Sequence, residues 1–305
     1  MRYYFYFFCL LPLFSCQKAT TESPKEIEKE LFQASDLTAD SLFTSGIEGP
    51  ATDKAGNIYI VNFNEQGTIG KVSPKGEAEL FVRLPEGSTG NGIRINPEGN
   101  LWVADYTGHN VLEVDVSTKA ISIHAHNDEM NQPNDLAIMK KGILFCSDPK
   151  WGDSTGQLWR VDTDGTLSLL EENMGTTNGV EVSPDEKTLY VNESIQLNVW
   201  AYDLSVEGEI SNKRLFHKFE DHGMDGMRCD EQGNLYVTRY GKGTIAILNP
   251  QGELLREVQM KGKKTSNIAF GGPEGKTAYV TLQDRGSVES FETELAGREW
   301  SWRQK

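Results

Sequence analysis

The sequence predicts an all-β chain folded as a six-bladed β-propeller, and three observations carry that prediction. A polar residue stands just before or within a strand-like segment six times, as Glu48, Asn91, Asn134, Asn178, Asp225 and Asn267, spaced 43, 43, 44, 47 and 42 residues apart. Each is followed by an apolar stretch, a turn rich in Pro, Asp, Glu, Lys or Gly, and a run such as NIYIV, NLWVA, ILFCS, TLYVN, NLYVT or TAYVT. A period in the forties with several short strands per unit is the pattern of one four-stranded blade per repeat. Six such repeats take up most of the 305 residues, which favours one ring over two domains. In a ring, equivalent positions of the innermost strands or entry loops converge on the axis. Six oxygen-bearing side chains would then meet in one small volume.

The elements follow in chain order. Residues 1–15, MRYYFYFFCLLPLFS, are almost wholly apolar after one Arg2 and too short to span a bilayer comfortably, so they read as an export signal. Leu13-Phe14-Ser15-Cys16 looks like a bacterial lipobox, which makes Cys16 the expected lipidated first residue of the mature chain. An ordinary cleaved signal and a retained anchor are the alternatives. Residues 16–40 are polar and charged with little β pattern and suit a tether. The protein is thus expected at the bacterial cell envelope, touching membrane through its lipid only.

The propeller is expected over 41–297. Each repeat carries an apolar strand, a Gly-containing hairpin such as DKAGN, NPEGN or DEQGN, a second strand, a loop and a third strand. The sixth repeat runs short of strands, and a ring must hide its open edges. The segment around Ser41–Ser45 is therefore expected to supply the outer strand of the last blade. Residues 298–305 form a tail in which Trp300 and Trp302 would cover an edge. Cys146 and Cys229 fall in different repeats and imply no disulfide framework. The pair His124 and His126 is expected at an exposed strand end.

Bulk composition is that of an ordinary soluble domain, 37% hydrophobic and 25% charged. The net charge of −15 offers no basic footprint for nucleic acid. The informative chemistry lies in the six repeated polar residues. Their neighbours are apolar, as in NGIRINP, NDLAIM and NGVEVSP, so each amide or carboxylate needs a partner. A ring of amides could satisfy itself by hydrogen bonds. Glu48 and Asp225 are both carboxylates, however, and converging negative charges call for a cation. Oxygen donors without His or Cys select a hard one, Ca2+ or Mg2+ ahead of Zn2+.

These residues carry a resemblance. Over roughly 41–295 the chain resembles the senescence marker protein (regucalcin)/gluconolactonase family of six-bladed propellers. The supporting strings are Ile47-Glu48-Gly49-Pro50, Gln132-Pro133-Asn134-Asp135, SDPKWG (147–152), Thr177-Asn178-Gly179-Val180, Met224-Asp225-Gly226-Met227 and TSNIAFGGPEGKTAYVT (265–281). The resemblance implies one divalent cation held by Glu48, Asn178 and Asp225, with Asn134 as a second Asn. It implies hydrolysis of cyclic esters, typically sugar lactones and in one branch phosphotriesters, with Asp225 as the base. A water on the ion is the alternative nucleophile.

Physical reading agrees, since a cation polarises a carbonyl and stabilises the oxyanion. Asn91 and Asn134 would orient substrate, with Asp135 as a further contact. Tyr106, His109, Trp151 and Arg239 lie in loops after second strands and would form the pocket wall if those loops rim the ring. Asp148-Pro149 would position a lid. Blade two, NLWVADYTGHNVLEVD, looks more like general NHL-type propeller blades, which leaves the substrate open. The leading expectation is a monomeric metal-dependent lactonase acting on a small sugar lactone. A non-catalytic binding propeller with a structural Ca2+, and an esterase or phosphotriesterase on the same scaffold, stand beside it.

Overall fold

A computed structural model describes residues 1–5 and 30–303. Six four-stranded antiparallel sheets make the blades. Five are meanders in chain order, spanning residues 43–83, 90–126, 136–174, 177–218 and 227–259. The sixth combines Thr265–Gly271, Thr277–Leu282 and Ser287–Glu292 with Ser35–Asp36, whose residues pair with Ser290 and Glu289. Apolar side chains fill each gap between blades. Val61 and Ile69 of the first blade, for example, pack with Ile93, Val103 and Leu112 of the second.

Two boundaries differ from expectation. Ser41–Ser45 is not the outer strand of the last blade; Phe43–Thr52 is the innermost strand of the first, with Phe43 paired to Phe63. The reason is burial: Phe43 and Ile47 are core residues packed with Tyr279 and Val288 of blade six, a position an outer strand cannot occupy. Packed structure also begins before residue 41, because Leu31 bridges Glu292 and the Leu37 amide donates to Val288 at 2.9 Å. Residues 31–40 are therefore part of the body rather than of a tether. Residues 6–15, Cys16 and the tether up to 29 lie outside the described residues.

The innermost strands share an irregularity that sets up the site. Register slips between Gly90 and Ile93, between Thr177 and Val180, and between Thr265 and Ile268, so two inner residues face one on the second strand. Asn91, Asn178 and Asn267 each lie inside such a bulge. Bulges re-aim side chains and free backbone groups. Small polar residues opposite take up the freed groups. Thr281 Oγ1 accepts from the Asn267 amide at 2.9 Å, Ser147 Oγ from the Asp135 amide at 3.0 Å, and Thr238 Oγ1 donates to the carbonyls of Gly226 and Ser266 at 3.0 Å.

One end of the channel is closed by charge. Arg94 Nη1 lies 3.2 Å from Asp135, its Nη2 3.6 Å from Glu181, and its Nε 3.0 Å from Glu299. Arg228 reaches Asp135 at 3.4 Å. The tail is a helix, Arg298–Arg303, and Arg298 enters the same lattice through Glu181 at 3.4 Å and the Ile138 carbonyl at 2.8 Å. Trp300 packs against Gly275. Among the described residues, no helix is long and apolar enough to cross a membrane.

Candidate active site at the ring axis

A cavity of about 500 Å³ opens on the axis at the end opposite the ion lattice. That is the size of a small-molecule site. Five of the six repeated residues line it: Glu48, Asn91, Asn134, Asn178 and Asp225. The sixth, Asn267, stands one step behind and donates from Nδ2 to Glu48 Oε2 at 2.8 Å. Its polarity is forced, because its Oδ1 accepts from the Ile268 amide at 2.9 Å and an N–H can only donate.

The floor is short of partners. Glu48 Oε2 accepts from both Asn267 and the Gly49 amide, while Oε1 is buried with no hydrogen bond. Asn134 Oδ1 and Asn178 Oδ1 are likewise buried and unpartnered. Buried acceptors are rarely left so. The Asp225 carboxyl meets both the Asn178 amide and the Glu48 carboxyl. Burial raises it well above the usual carboxylate range, and the negative charges of Glu48 and Asp135 raise it further. Burial, then Asp135, push Glu48 up to about 7. Carboxyls crowded and desolvated in this way fit a hard cation, and the donors facing the cavity floor are all oxygens. Among the described residues, no three His, Cys, Asp or Glu side chains are placed to hold a metal ion by themselves, and two of the donors at this floor are amides.

Glycine lets the ring close this tightly. Gly49 adopts φ +59°, and a Cβ there would lie 1.9 Å from the Asn91 carbonyl oxygen. A Cβ at Gly179 would meet the Asp225 carbonyl oxygen at 2.4 Å, and one at Gly226 the Asn267 side chain at 2.0 Å. The glycines after Glu48, Asn91, Asn178 and Asp225 thus admit the marker segment of the next blade.

The wall matches the expected loops in part. Tyr106 and Trp151 line the cavity. Burial raises the Tyr106 phenol above its ordinary range. Asp135 and Arg239 do not reach it, contrary to their expected substrate contact. Asp135 is fully buried between Arg94 and Arg228, where two guanidiniums claim its oxygens. Arg239 is spent on Asp221 at 2.7 Å and Glu257 at 3.3 Å, with its guanidinium 3.6 Å from the Phe219 ring centre. His109 is outside the lining, and Asp148 holds the loop at Asn131 and Gln132. Its carboxylate accepts from the Asn131 and Gln132 amides at 2.8 and 2.6 Å and from Trp159 at 3.1 Å. His124 stacks on Trp102, His126 is exposed, and Cys146 and Cys229 are buried free thiols.

Sequence reasoning missed a second ring. Asn62, Tyr106, Ser194, Tyr240 and Gln283 all line the cavity. Tyr106, Ser194, Tyr240 and Gln283 directly follow the second strands of their blades, spaced 88, 46 and 43 residues apart, while Asn62 is the penultimate residue of its second strand. The same period was there to be read, but their chemical types differ from blade to blade. Only the tyrosine of blade two drew notice.

A family profile described as the SMP-30/gluconolactonase/LRE-like region matches residues 46–284. A gluconolactonase of Zymomonas mobilis is 30% identical over 270 residues, 77% of this chain and 75% of that protein. A diisopropyl-fluorophosphatase of Loligo vulgaris is 27% identical over 285 residues, 83% and 90% of the two chains. The solved structure of a calcium-binding protein, regucalcin, from Agrobacterium tumefaciens superposes with a TM-score of 0.77 at 20% identity, covering 87% of this chain and 96% of that one.

Proposed function

The chain belongs to the SMP-30/gluconolactonase/LRE-like family, and from that premise we propose that it is a divalent-cation-dependent hydrolase that opens a sugar lactone. One observation carries the reading: Glu48 Oε1, Asn134 Oδ1 and Asn178 Oδ1 are buried without partners around the same cavity as Asp225. These four residues would hold the cation, Ca2+ before Mg2+ or Zn2+. Bound there, a cation supplies a Lewis acid for the lactone carbonyl.

The chain's own residues do the rest. Asp225 takes the proton of the attacking water as the new C–O bond forms. The ring C–O bond then breaks, and the leaving alkoxide is protonated to give the open hydroxy acid. Asn91 is held by its Nδ2 donating to the Asn134 carbonyl at 3.1 Å, a fixed orientation for an amide that meets substrate. Tyr106, Trp151 and Tyr240 offer flat faces to a sugar ring, and Asn62 and Gln283 offer amides to its hydroxyls. The relatives named as a gluconolactonase and a diisopropyl-fluorophosphatase support hydrolysis at a carbonyl or a phosphoryl centre on this scaffold, so a phosphotriester is the second substrate class to try.

The test is a hydrolysis assay on neutral sugar lactones, simple esters and a phosphotriester, with and without chelator. Lactone opening that EDTA abolishes and added Ca2+ restores is the expected result. No turnover of any of these by cation-loaded protein leaves the non-catalytic binding propeller as the surviving reading. We also propose export through residues 1–15 and lipidation at Cys16, placing a monomeric enzyme at the cell envelope. Cys16→Ser should release it into the soluble fraction.

A further inference from the structure

We propose that Ser194 is a positioning residue that decides which end of the Asn178 amide faces the cation. The inference rests on the reading of this site as a cation centre. Ser194 follows the second strand of blade four, is 7% exposed and lines the cavity. Its Oγ touches two groups, the Met224 carbonyl oxygen and Asn178 Nδ2, the latter at 3.0 Å. A carbonyl oxygen can only accept, so the single hydroxyl proton is committed to Met224. Towards Asn178 the hydroxyl has only a lone pair left. The atom facing it must therefore be the amide nitrogen, and the amide oxygen is turned the other way.

That oxygen is the buried, unpartnered Asn178 Oδ1. One backbone carbonyl thus sets the polarity of a hydroxyl, and the hydroxyl sets the polarity of the amide. The Asp225 carboxyl also meets this amide, but it is itself a candidate ligand whose charge a bound cation takes up. Ser194 is the partner whose polarity stays the same in both states. The same hydroxyl donates to the carbonyl of Met224, the residue before Asp225. Asn267 does for Glu48 what Ser194 does for Asn178, with the Ile268 amide in the place of the Met224 carbonyl.

The experiment is a calorimetric Ca2+ titration of the purified, chelator-stripped protein in two backgrounds. With Asn178 present, Ser194→Ala should weaken Ca2+ by about tenfold or more, the usual cost of losing a group that orients a ligand. With Asn178→Asp, both terminal atoms are oxygens and orientation no longer matters. There, Ser194→Ala should change affinity by less than roughly threefold. A purely structural serine would cost the same in both backgrounds. Should Ser194→Ala not fold, Ser194→Cys takes its place with the same expectation, because a thiol is a weak donor and weak acceptor. Unchanged affinity in the Asn178 background, or equal losses in the two, overturns the role of Ser194 alone. A wild-type protein that binds no divalent cation overturns the centre itself, and this role with it.

Discussion

At the scale of single residues, the four candidate ligands and their supporters make separable predictions. Asp225→Asn keeps the shape but removes the base and a negative charge, and should lower kcat/KM for a lactone by about 10²-fold or more. A wild-type rate in that variant would remove Asp225 from the reaction. Asp135 makes the opposite case. It reads from sequence as a substrate contact because it follows Asn134, yet it lies buried between two arginines. Asp135→Asn should cost about 3–5 kcal/mol of stability by leaving the buried Arg228 without its carboxylate and Arg94 with only Glu181 and Glu299, measured by urea unfolding. A variant of normal stability with only a raised KM would restore the substrate role. Side-chain type was legible at both positions. Facing was not, because only the closed ring puts Asn134 at the cavity and Asp135 between Arg94 and Arg228.

At the scale of elements, the bulged inner strand is the repeated working part. It lifts a marker off the sheet, and the following glycine makes room for the next blade. Gly49→Ala meets both obstacles, an unfavourable φ and a Cβ 1.9 Å from the Asn91 carbonyl oxygen. It should destabilise by more than about 1 kcal/mol and also weaken Ca2+, since Glu48 is the preceding residue. Unaltered melting and Ca2+ titration would show that the close approach relaxes freely. The glycines after Glu48, Asn91, Asn178 and Asp225 stand in the sequence, but it was the spacing of the markers that foretold the ring. The second ring of lining residues stayed hidden because Tyr106, Ser194, Tyr240 and Gln283 share a position but mix phenol, hydroxyl and amide, and Asn62 comes from inside its strand.

At the scale of the whole molecule, the two chain ends lock the ring. Ser35–Asp36 completes blade six, and the C-terminal helix sends Arg298 into the ion lattice beneath the site. Removing residues 298–305 strips Glu181 of one arginine and Arg94 of its contact with Glu299. Stability should fall by several kcal/mol, on the order of the cost of an uncompensated buried charge, and thermal unfolding checks it. A truncated protein that melts like the full chain would make the helix a mere covering.

The sequence alone determined the repeat, the all-β class and the six polar residues that recur with it, because period and side-chain type are properties of the chain itself. Tertiary structure alone decided which neighbours those residues have. It placed Asp135 and Arg239 in ion pairs rather than in the cavity, gave the last blade its outer strand from residues 35–36, and left three floor oxygens without partners. Hydrogen bonds and charges at the axis join residues from different blades, far apart in the chain. Their pairing is settled only when the ring closes.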